Sequence, residues 1–133
     1  MAQIANIVVN DGETPTPVSR TFEPLTSQNG FTAPAEWLEK STGVMSGFRR
    51  MSLLVKPRVS NVKTKTTIQI VVPYQTTVNG QSVWSPSPNR VNISFDVHDN
   101  CNEQDKLHLL AFARNLLATQ VVTDAVKNMS PAY

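Results

Sequence analysis

Acidic residues are missing from the whole middle of this 133-residue chain: between Lys40 and Phe95 there is no Asp and no Glu. Cysteine is nearly absent as well. Cys101 stands alone, which excludes an internal disulfide and a cysteine-based zinc site within one chain. The five glycines form no phosphate-cradling loop, and no Gly-x-Ser-x-Gly nucleophile motif occurs. No run approaches the ~18 apolar residues that a membrane span needs. The opening residues Met1-Ala2-Gln3-Ile4 lack a basic stretch followed by an apolar one, so no secretory signal is expected. These absences point to a cytosolic product with no membrane partner, and no glycan is expected at the sequons of Asn92 and Asn128.

What the acid-free window holds is basic: Lys40, Arg49, Arg50, Lys56, Arg58, Lys63, Lys65 and Arg90, eight of the twelve Lys and Arg residues. The net charge of +2 conceals this segregation. A basic middle between acidic flanks is the footprint of a polyanion binder, and equally of a solvated basic surface.

The first hundred residues read as strands. Ile4 to Val9 is a short strand closed by the turn Asn10-Asp11-Gly12. Val18 to Phe22 returns against it, with Pro15, Pro17 and Pro24 restricting it to an edge or a short piece. Ala35-Glu36-Trp37-Leu38-Glu39 fits a strand and a helical turn equally. Phe48–Lys56 and Lys63–Val72 alternate most clearly. In the second, Thr64, Thr66, Ile68, Ile70 and Val72 share one face; Lys63, Lys65, Thr67, Gln69 and Val71 share the other. In the first, Arg49, Met51, Leu53 and Val55 oppose Arg50, Ser52, Leu54 and Lys56, with Arg49 and Leu54 each on the wrong side of a clean split. The connection from Pro57 to Val62 carries Arg58 and Asn61. Residues 73–88 form a long polar loop or extended hairpin with Asn79-Gly80 at its tip. Asn89–Val97 is the last strand, with Arg90, Asn92, Ser94 and Asp96 on its polar side and Val91, Ile93, Phe95 and Val97 on the other. Three neighbouring strands thus offer polar faces that could form one continuous sheet surface.

The end is helical. Asn102 is an N-cap, followed by Glu103, Gln104 and Asp105 where the helix dipole favours acids. Leu107, Leu109, Leu110, Phe112, Ala113, Leu116 and Leu117 are too many apolar residues for one small sheet to cover, which hints at a second copy. A second helix is expected over Val121–Met129. The fold class is α+β, an antiparallel sheet followed by helices. Catalytic groups are scarce. His98, Asp99 and Cys101 read as a strand-to-helix junction rather than a metal cluster. Glu36 and Glu39 would act as an acid–base pair only in a shared cleft. No enzyme activity, cofactor, metal or small-molecule substrate is expected.

Four segments carry a resemblance: Asp124–Tyr133 at the end, Ile68-Gln69-Ile70-Val71-Val72-Pro73 continuing to Gln75–Gly80, Ala35–Leu38, and Ser41-Thr42-Gly43-Val44. In order and spacing these resemble the coat proteins of single-stranded RNA bacteriophages, the levivirus family, over essentially the whole chain. The resemblance implies a single domain over residues 1–133, with an N-terminal hairpin (1–24), a five-stranded antiparallel sheet (32–97) and two C-terminal helices (102–129). It implies an interlocked homodimer, each subunit's helices crossing the partner's sheet, and a T=3 icosahedral shell. It also implies a virion assembled in the bacterial host cytoplasm, genomic RNA on the inward sheet face, and a replicase-start RNA hairpin bound there as translational repression.

By the same resemblance the RNA contacts fall on Arg50, Ser52 and Leu54, on Lys65, Thr67, Gln69 and Val71, and on Arg90, Asn92 and Ser94. Lys56 and Lys63 extend the same faces. Basic members would hold phosphates, and Thr, Ser and Asn would bond to bases or sugars. Arg90 stands where several relatives have a base-stacking tyrosine, and Leu54 and Val71 are apolar where relatives are often polar. The alternative is a cellular single-stranded RNA-binding module without shell assembly, which leaves the 73–88 loop unexplained.

Overall fold

The alternating stretches pair with one another in chain order. A computed structural model of the protein describes residues 4–57 and 63–132. Its elements are β1 (Ile7–Asn10), β2 (Ser19–Thr26), β3 (Ala35–Glu39), a 3₁₀ turn (Met45–Gly47), β4 (Arg49–Pro57), β5 (Lys63–Val72), β6 (Gln75–Val78), β7 (Gln81–Trp84), β8 (Asn89–His98), α1 (Glu103–Leu117) and α2 (Gln120–Lys127). Six strands form one sheet in the order β1-β2-β3-β4-β5-β8, and β6 and β7 make a separate ribbon. Arg58 and Asn61 lie outside the described residues. The chain divides into two compact units, one ending at Asp96 and the other starting at Val97.

The expected α+β plan stands, with the strands distributed differently. The N-terminal hairpin is continuous with the sheet, which therefore has six strands rather than five. β2 is not an edge: it runs on through Pro24 and lies between β1 and β3. The register against β3 shifts between Pro24 and Thr26, and such a bulge is where a residue lacking an N–H is tolerated inside a sheet. The 35–39 segment is a strand. Burial decides this: Ala35, Trp37 and Glu39 are buried while Glu36 and Leu38 are half-buried, the period of two that a strand imposes.

One face of this unit is its core. Phe22, Ala35 and Trp37 are buried there, with Ile4, Ile7, Met51 and Leu53 packed against them. The Trp37 indole N–H donates to the Ala5 carbonyl at 2.8 Å, tying the N-terminal segment over the core. The turn after β1 is closed by Asp11, whose Oδ1 accepts from the backbone N–H of Glu13 (3.0 Å) and Val18 (2.9 Å), and whose Oδ2 accepts from Arg20 Nε at 2.8 Å.

The ribbon turns at Asn79 and Gly80, with φ of 51° and 78°, the left-handed pair a two-residue hairpin requires. Trp84 on β7 packs so tightly on Gly47 that a Cβ there would overlap its indole ring.

In the second unit, Asn102 Oδ1 accepts from the Asp105 backbone N–H at 2.8 Å, the expected cap. No residue of α1 or α2 is buried, and Leu110, Phe112 and Leu116 are more than half exposed. Among the described residues no helix is long and apolar enough to cross a membrane.

Candidate nucleic-acid interface

Register turns alternation into a surface. β4 and β5 pair so that Arg50 lies opposite Val71, Ser52 opposite Gln69, Leu54 opposite Thr67 and Lys56 opposite Lys65. The residues between them pair on the other face, Met51 with Ile70 and Leu53 with Ile68. Side chains alternate across a sheet, so Arg50, Ser52, Leu54 and Lys56 share one continuous face with Lys65, Thr67, Gln69 and Val71. Lys63 has the same parity at the start of β5. Lys56 and Lys65, two like charges directly opposite, are mutually unfavourable and suited to an anionic partner.

β8 neighbours β5. Ile93, Phe95 and Val97 are half-buried, while Arg90, Asn92 and Ser94 on its alternate side are exposed. Every expected contact residue thus lies on β4, β5 or β8, three consecutive strands.

The face extends beyond the expected residues onto β3. There Glu36 lies opposite Ser52 and Leu38 opposite Arg50, forming the rows Glu36–Ser52–Gln69 and Leu38–Arg50–Val71. A cavity of about 160 Å³ opens over these rows, with Leu25 at its margin. Sequence reading missed Glu36 as part of this face because an isolated acid beside a buried tryptophan carries no pattern of its own. Glu36 makes no hydrogen bond or ion pair among the described residues. Glu23, on the same side on β2, is answered by Lys40 at 3.6 Å.

Glu39 lies on the opposite side of β3, so Glu36 and Glu39 share no cleft and cannot work as an acid–base pair. Glu39 is 2 % exposed and accepts from Arg49 Nη1 at 2.5 Å and from the Ser41 backbone N–H at 2.9 Å. This explains Arg49 on the apolar face: it is the counter-charge of a buried carboxylate. Burial pushes the Glu39 carboxyl up, but the bonds from Ser41 and Arg49 outweigh it and hold the group below its ordinary range. Among the described residues no three His, Cys, Asp or Glu side chains gather as a metal would require. His98 Nδ1 accepts from the Asn100 backbone N–H at 3.2 Å, within the strand-to-helix junction.

The model of the levivirus coat protein family matches residues 2–133. No curated protein sequence matches the chain. Among solved structures, the virus-like particle of bacteriophage NT-214 is 40 % identical with a TM-score of 0.84, over 99 % of this chain and 100 % of that one. The capsid protein of bacteriophage GA shares the fold at 21 % identity and a TM-score of 0.73, over 99 % of each chain. The virus-like particle of Beihai levi-like virus 21 does so at 19 % and 0.83, again over 99 % of each. With a family match over all but its first residue, a relative at 40 % identity, and a six-stranded sheet followed by two helices, the chain belongs to the levivirus coat protein family and is a structural capsid protein.

Proposed function

We propose that this protein dimerises and assembles into a T=3 icosahedral shell around its genomic RNA. The β4–β5–β8 face is turned inward to grip that RNA and a replicase-start hairpin. The observation that carries the RNA reading is the β4–β5 register, which sets Arg50, Ser52 and Lys56 opposite Val71, Gln69 and Lys65 in a window without a single acid. Lysine and arginine on such a face neutralise phosphates, and the polar side chains between them reach sugars and bases. On β8, Arg90 offers a guanidinium plane on which an unpaired base stacks.

Dimerisation is supported by what one copy leaves uncovered: Leu107, Leu110, Phe112, Leu116 and Leu117 on α1 and Val121 and Val126 on α2 are all more than half exposed. Water-facing apolar area of this extent marks an interface. Shell assembly is supported by family membership and by the NT-214 relative, which forms a virus-like particle.

The test is expression of the full chain alone in bacteria, followed by size exclusion, absorbance at 260 and 280 nm, and negative-stain microscopy. Closed particles rich in nucleic acid are expected. Lys65→Ala and Arg90→Ala are expected to weaken RNA binding and leave dimers intact; unchanged affinity in both overturns the assignment of the face. A nucleic-acid-free dimer that never closes would favour a binding module without shell assembly.

A further inference from the structure

Glu36 is the only carboxylate that β3, β4 and β5 direct to the polar face, and it sits in the wall of the cavity there. A carboxylate repels phosphate, so on a surface that holds RNA backbone it is a liability unless it meets donors. The structure supplies none: Glu36 is half-buried and without a partner among the described residues. A base, unlike a phosphate, carries N–H donors that such a carboxylate can accept.

Its neighbours define which one. Glu36, Ser52 and Gln69 lie side by side on three adjacent strands. Strands are spaced about 4.8 Å apart, so the first and third members of the row stand roughly 10 Å apart, with the small serine as the floor between them. That is the span of a flat heterocycle with a hydrogen bond at each end, and the cavity of about 160 Å³ suits one base. In the next row Leu38 and Val71 offer apolar surface to its ring, and Arg50 adds a second donor beside Gln69.

The geometry points to a guanine-reading subsite in which the Glu36 carboxylate accepts the N1–H and N2–H of an unpaired guanine, and Gln69 or Arg50 donates to its O6. Guanine alone among the four bases presents two adjacent donors and an acceptor on its pairing edge. Adenine and cytosine each set a ring-nitrogen acceptor beside their amino donor, which a carboxylate repels, and uracil offers a single N–H between two acceptors. The subsite rests on the proposal that this face binds RNA and narrows it to one base.

The experiment uses the full chain dissociated from particles and freed of RNA. Short single strands of repeating adenosine–guanosine, adenosine–inosine and adenosine alone are titrated by fluorescence anisotropy. Inosine differs from guanosine only by the missing N2 amino group. Wild type is expected to bind the guanosine strand tightest, by roughly tenfold or more over adenosine, with inosine between them. Glu36→Gln replaces a double acceptor by one acceptor and one donor. It is expected to collapse those differences while binding adenosine at least as well as before, since a negative charge leaves the face. Size exclusion of the variant establishes that it still dimerises, and the wild-type inosine arm tests the subsite without any substitution. Equal binding of all three strands by wild type, or an undiminished guanosine preference in Glu36→Gln, overturns the subsite and leaves the RNA face standing. Failure of wild type to bind any strand overturns both.

Discussion

Glu39 shows how one ion pair can sit inside an apolar face without unravelling it. The carboxylate is buried, its partner Arg49 keeps 27 % of its side chain in water, and Ser41 supplies a second donor. Removing Arg49 leaves the charge of Glu39 without its main counter-charge, so Arg49→Ala is expected to destabilise the fold by about 2–3 kcal/mol. That is below the range for a fully buried pair, because Arg49 is partly screened. Urea unfolding followed by tryptophan fluorescence measures it. Adding Glu39→Ala should cost less than the sum of the single changes, since the stranded charge is then gone. Asp11 makes the same point at the surface of the hairpin turn. Bonds from the backbone N–H groups of Val18 and Glu13, with Arg20 beside them, hold its carboxyl at about 2 against an ordinary 3.8. A carboxyl whose folded value is depressed contributes stability that is present above its unfolded value and lost as pH falls through its folded one. The Asp11 contribution therefore disappears between about pH 4 and pH 2, with Glu39 adding to the loss just below its own ordinary value of 4.5. Asp11→Asn should lower the urea midpoint at neutral pH and flatten its fall toward about pH 3; an equally steep fall would show that this turn does not contribute to acid sensitivity.

At the scale of elements, the ribbon β6–β7 makes a contact that its own sequence does not announce. The Trp84 indole lies on the Gly47 backbone, with Thr42 Oγ1 also close. Gly47→Ala must push the ring aside, an overpacking worth about 1–3 kcal/mol. The expected signature is a red-shifted tryptophan emission and faster amide exchange over residues 75–84, with exchange in β4 and β5 unchanged. Strand periodicity made β4, β5 and β8 legible because each alternates over nine or ten residues. The polar face followed directly, since partners in register share parity. Three things stayed illegible for a common reason: they depend on contacts distant in sequence. The Trp84–Gly47 contact joins residues separated by β4, β5 and β6. The place of β2 inside the sheet requires the Pro24 bulge against Trp37. The membership of Glu36 in the polar face follows only once β3 is a strand paired with β4, and five residues were too few to separate a strand from a helical turn.

At the scale of the whole molecule, charge and apolar area are segregated along the chain. The acid-free window runs from the end of β3 into β8, and α1 and α2 beyond it carry a dense run of exposed large apolar side chains. Helices of 15 and 8 residues are marginal alone in water, and tertiary burial supplies most of a helix's stability. The helical unit cannot supply that burial internally, because no residue of either helix is buried. A partner copy placed over these residues would remove them from water at about 25 cal/mol per Å². Leu110, 54 % exposed at the middle of α1, is therefore the position where a charge should be least tolerated. Leu110→Asp is expected to abolish soluble dimer and particles together. Gln104→Asp, a new acid in the first turn of the same helix, should leave both intact, since the N-terminal end of a helix dipole favours negative charge. Size exclusion with light scattering separates the outcomes. Loss of dimer in Leu110→Asp but not in Gln104→Asp assigns the apolar surface of α1 to the subunit interface. A stable, folded Leu110→Asp monomer, or an unaltered dimer, would mean that fold and association do not depend on covering this helix, and the interlocked arrangement would fall.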